Sequence, residues 1–421
     1  MEWLGDVPEH WQIVRTKDIF NHRKEEALED DEIVTAFRDG QVTLRKNRRT
    51  DGFTNSIKEH GYQHINSGDL VIHEMDAFAG AIGVSDSSGK STPVYTVCYS
   101  KNKNINHHFY SHFFRTMAKT GFINSLAKGI RVRSTEFRWN ESRNVYLALP
   151  PKADQQKIVS FLDTETARID NLIAKQEKLI ELLEEQRKSI ISHAVTKGLN
   201  PNAPMKDSGV EWLGDVPEHW NLKPIKFLAK TNQLTLAENT DENYEIQYVD
   251  IGSVSRTNGI EKIETILFKD APSRARRIVK DGDIIVSTVR TYLKAIAYIE
   301  NPPKNLIVST GFAVLNPIRT VIFPQYAKFT FLAEQFIAEV IAKSKGISYP
   351  AITATELADI KIALPPLNEQ KVILQYLLEE NLKMNKLISK QNQLIEKLKE
   401  YRASIISHAV TGKIDVREFG A

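Results

Sequence analysis

Ten residues occur twice in this 421-residue chain without a change. The segment Glu-Trp-Leu-Gly-Asp-Val-Pro-Glu-His-Trp fills positions 2–11 and again positions 211–220. Further along each half, a Leu-Pro-Pro sequence precedes a long helical stretch that closes on Ser-Ile-Ile-Ser-His-Ala-Val-Thr at 189–196 and at 404–411. The chain is therefore a tandem duplication, and the long period of the repeat excludes a solenoid built from short repeats.

Two blocks of roughly 130 residues, at about 12–146 and 221–361, lie between these anchors and show little obvious identity. Short apolar runs bounded by Gly, Asp and Pro predict strands in both blocks. Residues 68–73 of the first block correspond to residues 282–287 of the second, and residues 109–126 and 326–343 are typical of helices. We therefore predict two α+β blocks that share a fold and differ at their surfaces.

The repeated helical stretches carry a coiled-coil pattern. Alternate steps of four and three residues from Ile158 and from Ile373 meet seven and eight apolar residues in ten positions, which is the spacing of a coiled-coil seam. Polar residues interrupt both seams at matching places and exclude other registers. We predict that the two helices pair through these seam residues: Leu162, Ile169, Leu172, Leu179, Leu183, Leu377, Met384, Leu387, Leu394 and Leu398.

An antiparallel pair would place the start of each helix beside the end of the other and the two blocks at opposite ends of a rod. Gly198 and Gly412 fit the helix exits. The repeated decapeptide should then dock at equivalent corners. We expect His10 and His219 to be corner residues rather than catalytic bases. The predicted corner contacts join Trp3 and Trp11 to Ile405, Ile406 and Val410, and join Trp212 and Trp220 to Ile190, Ile191 and Val195. The alternative is a helical hairpin that only stabilises the fold.

Composition bounds the class of protein. One cysteine, Cys98, excludes a disulfide framework and indicates a reducing compartment. The chain opens on no signal peptide, and no apolar run reaches the roughly 20 residues that span a bilayer. A cytoplasmic protein is the expectation. The net charge of +3 is unevenly distributed, since residues 101–138 carry a local charge of +7 and residues 273–294 carry +4.

Three short motifs suggest catalysis or metal binding, and each has a simpler structural explanation. Residues 301–304, Asn-Pro-Pro-Lys, resemble the Asn-Pro-Pro-aromatic loop of adenine methyltransferases, but lysine offers no face for stacking on a flipped base, so we expect a structural turn. Residues 89–91, Gly-Lys-Ser, fit a hairpin turn better than a phosphate loop. His107, His108 and His112 lie close together but lack a clear cysteine or carboxylate partner for a metal.

The repeated decapeptide opening, the basic mixed block, the Leu-Pro-Pro helix start and the Ser-Ile-Ile-Ser-His-Ala-Val-Thr helix end, all present twice, resemble the specificity subunit of a type I restriction-modification system. The resemblance covers essentially all 421 residues. It implies that each block is a target recognition domain for one half of a bipartite, asymmetric DNA site. It also implies that the helices form an antiparallel coiled coil that sets the spacer and docks two methyltransferase subunits.

The resemblance implies no catalytic residue, cofactor or metal in this chain. S-adenosylmethionine, ATP and Mg belong to the partners, which are the methyltransferase subunits and the restriction subunits that translocate and cleave DNA. The domains expected are target recognition domain 1 (1–149), a central spacer helix (150–199), a linker (200–210), target recognition domain 2 (211–364), a C-terminal spacer helix (365–414) and a tail (415–421).

Double-stranded DNA is the expected ligand of the basic segments, because Arg and Lys bind phosphates for affinity and a few reach base edges for sequence. For any single residue the alternative is a solvated surface charge. For the whole chain the alternatives are a DNA adenine methyltransferase and a coiled-coil scaffold that binds no nucleic acid. The candidate DNA-binding residues are Arg45, Arg48, Arg49, Arg131, Arg133, Arg138, Arg274, Arg276, Arg277, Arg290, Lys294 and Tyr349.

Overall fold

A computed structural model describes residues 4–48, 60–126, 137–256 and 258–419 of the chain. The chain divides into two compact units. Unit 1 comprises residues 1–177 together with residues 392–421, and unit 2 comprises residues 178–391. Both division points lie inside long helices, so each unit contains one half of each helix.

The elements that begin in unit 1 form a strand-rich block that leads into the first long helix. In chain order they are β1 (Gln12–Arg15), α1 (Thr16–Ile19), β2 (Phe20–His22), β3 (Val34–Ala36), β4 (Val42–Leu44), β5 (Gln63–Ile65), β6 (Leu70–His73), β7 (Ile82–Val84), β8 (Gly89–Ser91), β9 (Tyr95–Ser100), α2 (His107–Lys119), α3 (Phe122–Leu126), α4 (Trp139–Ser142), β10 (Tyr146–Leu149) and α5 (Lys152–Lys197).

The elements that begin in unit 2 repeat this plan and end in the second long helix. They are β11 (Met205–Asp207), β12 (Asp215–Pro217), β13 (Asn221–Pro224), β14 (Ala229–Thr231), β15 (Glu245–Val249), β16 (Val254–Ser255), β17 (Gly259–Ile260), β18 (Glu264–Leu267), β19 (Ala275–Ile278), β20 (Ile284–Ser287), β21 (Ile296–Tyr298), β22 (Leu306–Ser309), β23 (Phe312–Pro317), α6 (Pro324–Leu332), α7 (Glu334–Lys343), α8 (Ala354–Ala358), β24 (Lys361–Leu364) and α9 (Leu367–Val410).

The two units share a four-stranded antiparallel sheet with the same connectivity. The strand order is β2-β9-β6-β7 in unit 1 and β14-β23-β20-β21 in unit 2. Strands β6 and β20 contain the segments that the sequence paired, and the apolar side chains of both are buried. A strand pair, β1 with β10 or β13 with β24, then precedes each long helix. The predicted α+β duplication is confirmed.

Some local predictions differ from the structure. Each long block helix is divided in two, because Gly121 adopts a left-handed φ of 79° between α2 and α3, and Ala333 is extended between α6 and α7. Residues 89–91 form strand β8, which pairs with β5, so the predicted hairpin turn was wrong there. Unit 2 also has a second four-stranded sheet, in the order β18-β15-β22-β19.

A buried glutamine fastens the start of each long helix to its block. The side-chain amide of Gln155 donates to the carbonyls of Pro150 (2.9 Å) and Asn104 (3.2 Å), and its oxygen accepts from the Asn106 N–H (2.8 Å). Gln370 repeats all three bonds. Its amide donates to the carbonyls of Pro365 and Val321 (both 3.0 Å), and its oxygen accepts from the Phe323 N–H (3.1 Å). Because both side chains are fully buried, these backbone groups have no access to water as a substitute.

The two half-helices in each unit run antiparallel. In unit 1, Arg402 of α9 pairs with Asp170 of α5 at 2.8 Å, and Leu162 shares a core with Val410. In unit 2, Arg187 of α5 donates to Asn385 Oδ1 of α9 at 2.7 Å. Val195 of α5 and Leu377 of α9 share the same core. The residue numbers rise along one helix as they fall along the other, so the predicted antiparallel pairing is confirmed within each unit.

The buried seam follows the predicted heptads at the helix starts and departs from them further along. Leu162, Ile169, Leu377 and Met384 are buried, whereas the leucines at 172, 183 and 398 are half-buried. Three of the predicted seam leucines are exposed: Leu179 at 38%, Leu387 at 42% and Leu394 at 41%. The buried residue beside Leu394 is Ile395. A helix with 3.6 residues per turn drifts away from a strict 3.5-residue repeat, which moves the seam by about one residue after several turns.

Replacement of Gln155 by Leu should lower the free energy of unfolding by about 3 kcal/mol, because it leaves buried backbone groups without hydrogen-bond partners. The adjacent Gln156 is exposed, and Gln156→Leu should change the stability by less than about 0.5 kcal/mol. Urea denaturation of the full chain measures both effects. Equal stabilities of the two variants would contradict the anchoring role of Gln155.

Replacement of Ile395 by Asp should weaken helix pairing by about 3 kcal/mol or more, because it puts a carboxylate into the buried seam. Leu394→Asp, one residue away on the exposed face, should cost less than about 1 kcal/mol. Thermal unfolding followed by circular dichroism compares the two variants. A larger loss for Leu394→Asp would show that the strict heptad register, rather than the drifted one, holds the helices together.

Candidate nucleic-acid interface

The first copy of the decapeptide docks where α5 begins and α9 ends. Trp11 shares the unit 1 core with Ile406 and Val410, as predicted, and its indole N–H donates to Asp154 Oδ2 at 3.3 Å. His10 Nε2 lies 2.8 Å from the same carboxylate. Trp3 lies outside the described residues, so its predicted contact is not part of this description.

Glycine is required at the helix exit of this corner. Gly412 has a left-handed φ of 73°, and a Cβ atom there would lie 2.4 Å from Pro8 Cδ. The decapeptide therefore sits directly against the end of α9. A cavity of about 190 Å³ opens beside it, lined by residues of the decapeptide, the first turns of α5 and the segment after α9.

The second copy repeats this corner where α5 ends and α9 begins. Trp220 is fully buried in the unit 2 core with Val195. The partly buried residues that pack against this core include Trp212, Ile190 and Ile191. His219 Nε2 lies 2.8 Å from Glu369 Oε2, which is the counterpart of the His10 contact. A Cβ at Gly198 would lie 3.2 Å from Trp220 Cζ2. Both histidines are structural corner residues, as predicted.

The candidate arginines of unit 1 that the structure describes lie at two places. Arg48 stacks on Phe37, with 4.2 Å from the guanidinium carbon to the ring centre, and pairs with Asp39 at 2.7 Å. Arg45 donates to Thr35 Oγ1 at 3.3 Å. Both belong to the β3–β4 hairpin region. Arg138 lies apart from them, 3.8 Å from Glu74. Arg49, Arg131 and Arg133 lie outside the described residues.

The candidate arginines in and directly before β19 of unit 2 are held by neighbouring side chains. Arg274 pairs with Asp250 at 3.0 Å and donates to the Tyr248 hydroxyl at 3.3 Å. The Arg276 guanidinium lies over Phe268, 4.6 Å from the ring centre, and Arg277 donates to Thr235 Oγ1 at 3.2 Å. The hydroxyl bond and the Asp250 charge raise the pKa of Arg274 above its ordinary value. These contacts give the guanidinium groups defined positions.

The remaining candidates of unit 2 form an exposed cluster on two neighbouring loops. Arg290 and Lys294 both adopt left-handed backbone conformations, with φ of 51° and 53°, at the ends of the single helical turn Thr291–Leu293. The Arg290 guanidinium lies 5.0 Å from the Tyr349 ring centre, and Tyr349 is 65% exposed. Non-glycine residues in this conformation are uncommon and strained, and they concentrate at functional sites.

Backbone hydrogen bonds connect this loop cluster to β19. Thr310 N–H donates to the Arg274 carbonyl at 2.7 Å, and the Thr288 N–H donates to Gly311 O at 2.8 Å. The Ile352 N–H in turn donates to Thr288 O at 2.9 Å. The backbone at Arg274, directly before β19, is therefore linked through residues 310–311 to the loops that carry Arg290 and Tyr349.

The Asn-Pro-Pro-Lys segment and the histidines of α2 lie in local structural contacts. Asn301 occupies a left-handed turn, and its N–H donates to Asp281 Oδ1 at 2.8 Å. His107 Nδ1 is hydrogen-bonded to the Gly68 carbonyl, and burial lowers the pKa of His112 to about 4. Across residues 4–48, 60–126, 137–256 and 258–419, no group of three His, Cys, Asp or Glu side chains is placed to bind a metal.

Sequence reasoning missed some groups that the structure emphasises. The sequence assigned no role to the glutamine four residues after each Pro-Pro start, although its repetition at 155 and 370 is visible. Arg115 was counted only as part of a basic segment, and Arg402 was not considered. The proximity of Arg115 and Arg402 joins residues far apart in the chain, and sequence spacing does not show such contacts.

Among the helices of the described residues, none has the length and apolar character that a membrane crossing requires.

Comparison with known proteins gives the same doubled arrangement. A family model described as the type I restriction modification DNA specificity domain matches residues 8–182 and again residues 217–397. The chain is 24% identical over 430 residues to the type I restriction enzyme MjaVIII specificity subunit of Methanocaldococcus jannaschii, with 98% of this chain and 94% of the relative covered. It is 22% identical to the EcoKI specificity subunit of Escherichia coli K12, with 97% and 90% covered.

Solved structures share the fold. A chain from a study of complex assembly and conformational transition of the type I R-M system aligns with a TM-score of 0.66 at 15% identity, covering 97% of this chain and all of that chain. The HsdS subunit of Thermoanaerobacter tengcongensis aligns with a TM-score of 0.57 at 16% identity, covering 97% and 98%.

Proposed function

The chain belongs to the family of type I restriction-modification DNA specificity subunits, and we propose that each unit reads one half of a bipartite, asymmetric DNA site. As a specificity subunit it recognises DNA and is not itself an enzyme. The same comparisons favour this function over the alternative of a DNA adenine methyltransferase. The recognition of two unlike half-sites follows from the differences between the units.

The observation that carries this proposal is the repetition of the framework without repetition of the surface. Both units have the same strand order, glutamine anchor and decapeptide corner. The polar residues Arg274, Arg290 and Tyr349 of unit 2 have no identical counterparts in the sequence of the first block. A shared framework with different polar surfaces suits two reading heads that bind different base sequences.

Within unit 2 we assign base reading to Arg290, Lys294 and Tyr349. They are carried on loops that a packed sheet supports, and Arg290 is stacked against an aromatic ring while its positive charge faces solvent. Arg274 is committed to Asp250, so its role is backbone contact and positioning. In unit 1 the described candidates Arg45, Arg48 and Arg138 have the corresponding DNA-binding role.

The long helices have two proposed roles: they set the spacer between half-sites and dock two methyltransferase subunits. Leu179 of α5 and Leu394 of α9 occupy equivalent positions in the duplication, one in each unit, and both are about two-fifths exposed. A matched apolar residue on the outer face of each helix suits two copies of one partner. Exposed apolar groups of this kind are typical of interaction surfaces.

The chemistry is assigned to partner subunits. We propose that S-adenosylmethionine binds the methyltransferase subunits and that ATP and Mg serve the restriction subunits, so this chain carries no cofactor of its own. The complex would act in the cytoplasm, where chromosomal DNA is accessible. Calorimetric titration of the purified chain with S-adenosylmethionine should give no binding heat, and stoichiometric binding would overturn this assignment.

Replacement of Arg290 by Ala should reduce discrimination at one half-site by about 1–3 kcal/mol, because it removes a side chain positioned for base contact. Affinity for non-specific duplex should change little. Competition binding with duplexes mutated in either half-site measures the effect, and Arg274→Ala, at a paired arginine, is the matched comparison. Loss of discrimination at both half-sites would contradict independent reading heads.

Removal of residues 171–177 from α5 together with the facing residues 395–401 of α9 should shorten the preferred spacer by about three base pairs. Seven residues span roughly 10 Å of helix, and duplex DNA rises about 3.4 Å per base pair. Deletion of whole heptads from both helices preserves the seam, and the paired Asp170 and Arg402 remain. Methylation mapping in cells that carry the variant identifies its sites. An unchanged spacer would contradict the role of the helices as a ruler.

A further inference from the structure

Unit 1 contains a cluster of three cations and one neutral imidazole that the candidate residues above do not include. It consists of Arg115 and Lys119 on α2, Arg402 on α9, and the imidazole of His112 one turn before Arg115. We refer to these four residues as the α2–α9 basic cluster. Among the described residues, two carboxylates lie near the cluster. Asp39 pairs with Arg48 at 2.7 Å, and Asp170 pairs with Arg402 at 2.8 Å.

Arg115 is the central member and is built into the protein. Its guanidinium packs flat enough on Gly40 that a Cβ there would lie 2.4 Å from Nη1, and the left-handed φ of 94° at Gly40 also favours glycine. The Arg115 Nε–H is buried and has no hydrogen-bond partner in the described part of the chain. An unpaired buried donor is costly, so the protein holds this arginine in place at the expense of stability.

The nearby carboxylates neutralise the positive charge of the cluster only in part. Burial and then the charge of Arg402 lower the pKa of Arg115, while Asp39 raises it only in part. Burial, followed by Arg115 and Arg402, also lowers the pKa of Lys119, which lies at the solvent edge. The buried Nδ1 of His112 likewise has no partner among the described residues. The positive charges of Arg115, Lys119 and Arg402 repel one another, and a bound anion would relieve that repulsion.

The duplication offers an internal comparison. Asn106 and Phe323 occupy the same place in their units, since the N–H of each donates to the anchoring glutamine. Counting from them, the positions of His112 and Arg115 hold Phe329 and Leu332 in unit 2, which pack in the apolar core. Arg402 and its counterpart Arg187 are both retained on the helices. The additional cations are therefore a property of unit 1 and not of the common framework.

We propose that the α2–α9 basic cluster binds a phosphate of the DNA backbone in a sequence-independent contact. This inference rests on the proposed DNA-binding function and adds residues outside the reading loops. The exposed ammonium group of Lys119 and the partly exposed guanidinium of Arg115 offer donors from different directions, as a tetrahedral phosphodiester requires. A planar carboxylate of a protein partner would use one arginine fork and leave the remaining cations unneutralised.

The test compares duplex binding by the full chain and by three variants over a range of salt concentrations. Arg115→Met and Lys119→Met remove one charge each from the cluster and keep the length of the side chain. Lys397→Met, at an exposed lysine of α9 in the same unit, is the matched control for net charge. The probe is a fluorescent duplex, used once with and once without the recognised site, and anisotropy reports the dissociation constant.

Each cluster variant should bind both duplexes about tenfold more weakly, and the slope of log affinity against log salt should fall by about one. Lys397→Met should behave like the unaltered chain. Arg115→Met should melt at the same or a higher temperature than the unaltered chain, because a buried unpaired charge is removed. A lower melting temperature with lost binding would indicate a structural role for Arg115 and overturn the proposal.

Unchanged affinity and salt slope in both cluster variants would overturn the phosphate site while leaving the proposed function intact. Unchanged DNA binding with weaker capture of the methyltransferase subunit would assign the cluster to an acidic protein surface and would also overturn the proposal. Absence of salt-dependent duplex binding by the unaltered chain would contradict the proposed function itself, so the two failures are distinguishable.

Discussion

The antiparallel packing of two half-helices is the contact on which each unit depends. The decapeptide, the glutamine anchor and the block core all attach to helix ends that this packing brings together. Trp11 needs the end of α9, and Trp220 needs the end of α5, to exclude water from their rings. The helices also carry the Arg402 and Arg187 contacts that fix one register. A change in that register would displace every other contact in the unit.

The parts of the fold that the sequence predicted correctly are those that occur twice. Identical decapeptides must satisfy identical surroundings, so the docking of Trp11 and Trp220 could be argued from their positions relative to the helix ends. The correspondence between residues 68–73 and 282–287 likewise placed β6 and β20 in the same position of their sheets. The repetition served as an internal comparison, and it constrained topology more strongly than strand propensity did.

What the sequence did not predict depends on small rotations or on distant neighbours. The seam runs through Ile395 rather than Leu394 because small differences in helical twist accumulate along the helix. The meeting of Arg115, Gly40 and Arg402 joins three remote stretches of chain, and no local pattern indicates it. The candidate arginines were chosen by charge alone, whereas the structure separates paired residues such as Arg274 from those on exposed loops.

The division of the helices between the units has a consequence for the order of folding during synthesis. Unit 2 is a continuous segment, residues 178–391, and all of its contacts become available once that segment has left the ribosome. Unit 1 begins earlier but needs residues 392–421 from the far end of the chain. The amino-terminal block therefore stays incomplete, with the Trp11 side chain and its face of α5 uncovered, until residues 392–421 have followed unit 2 out of the ribosome. The unit that is started first is completed by a segment that comes after the whole of the other unit.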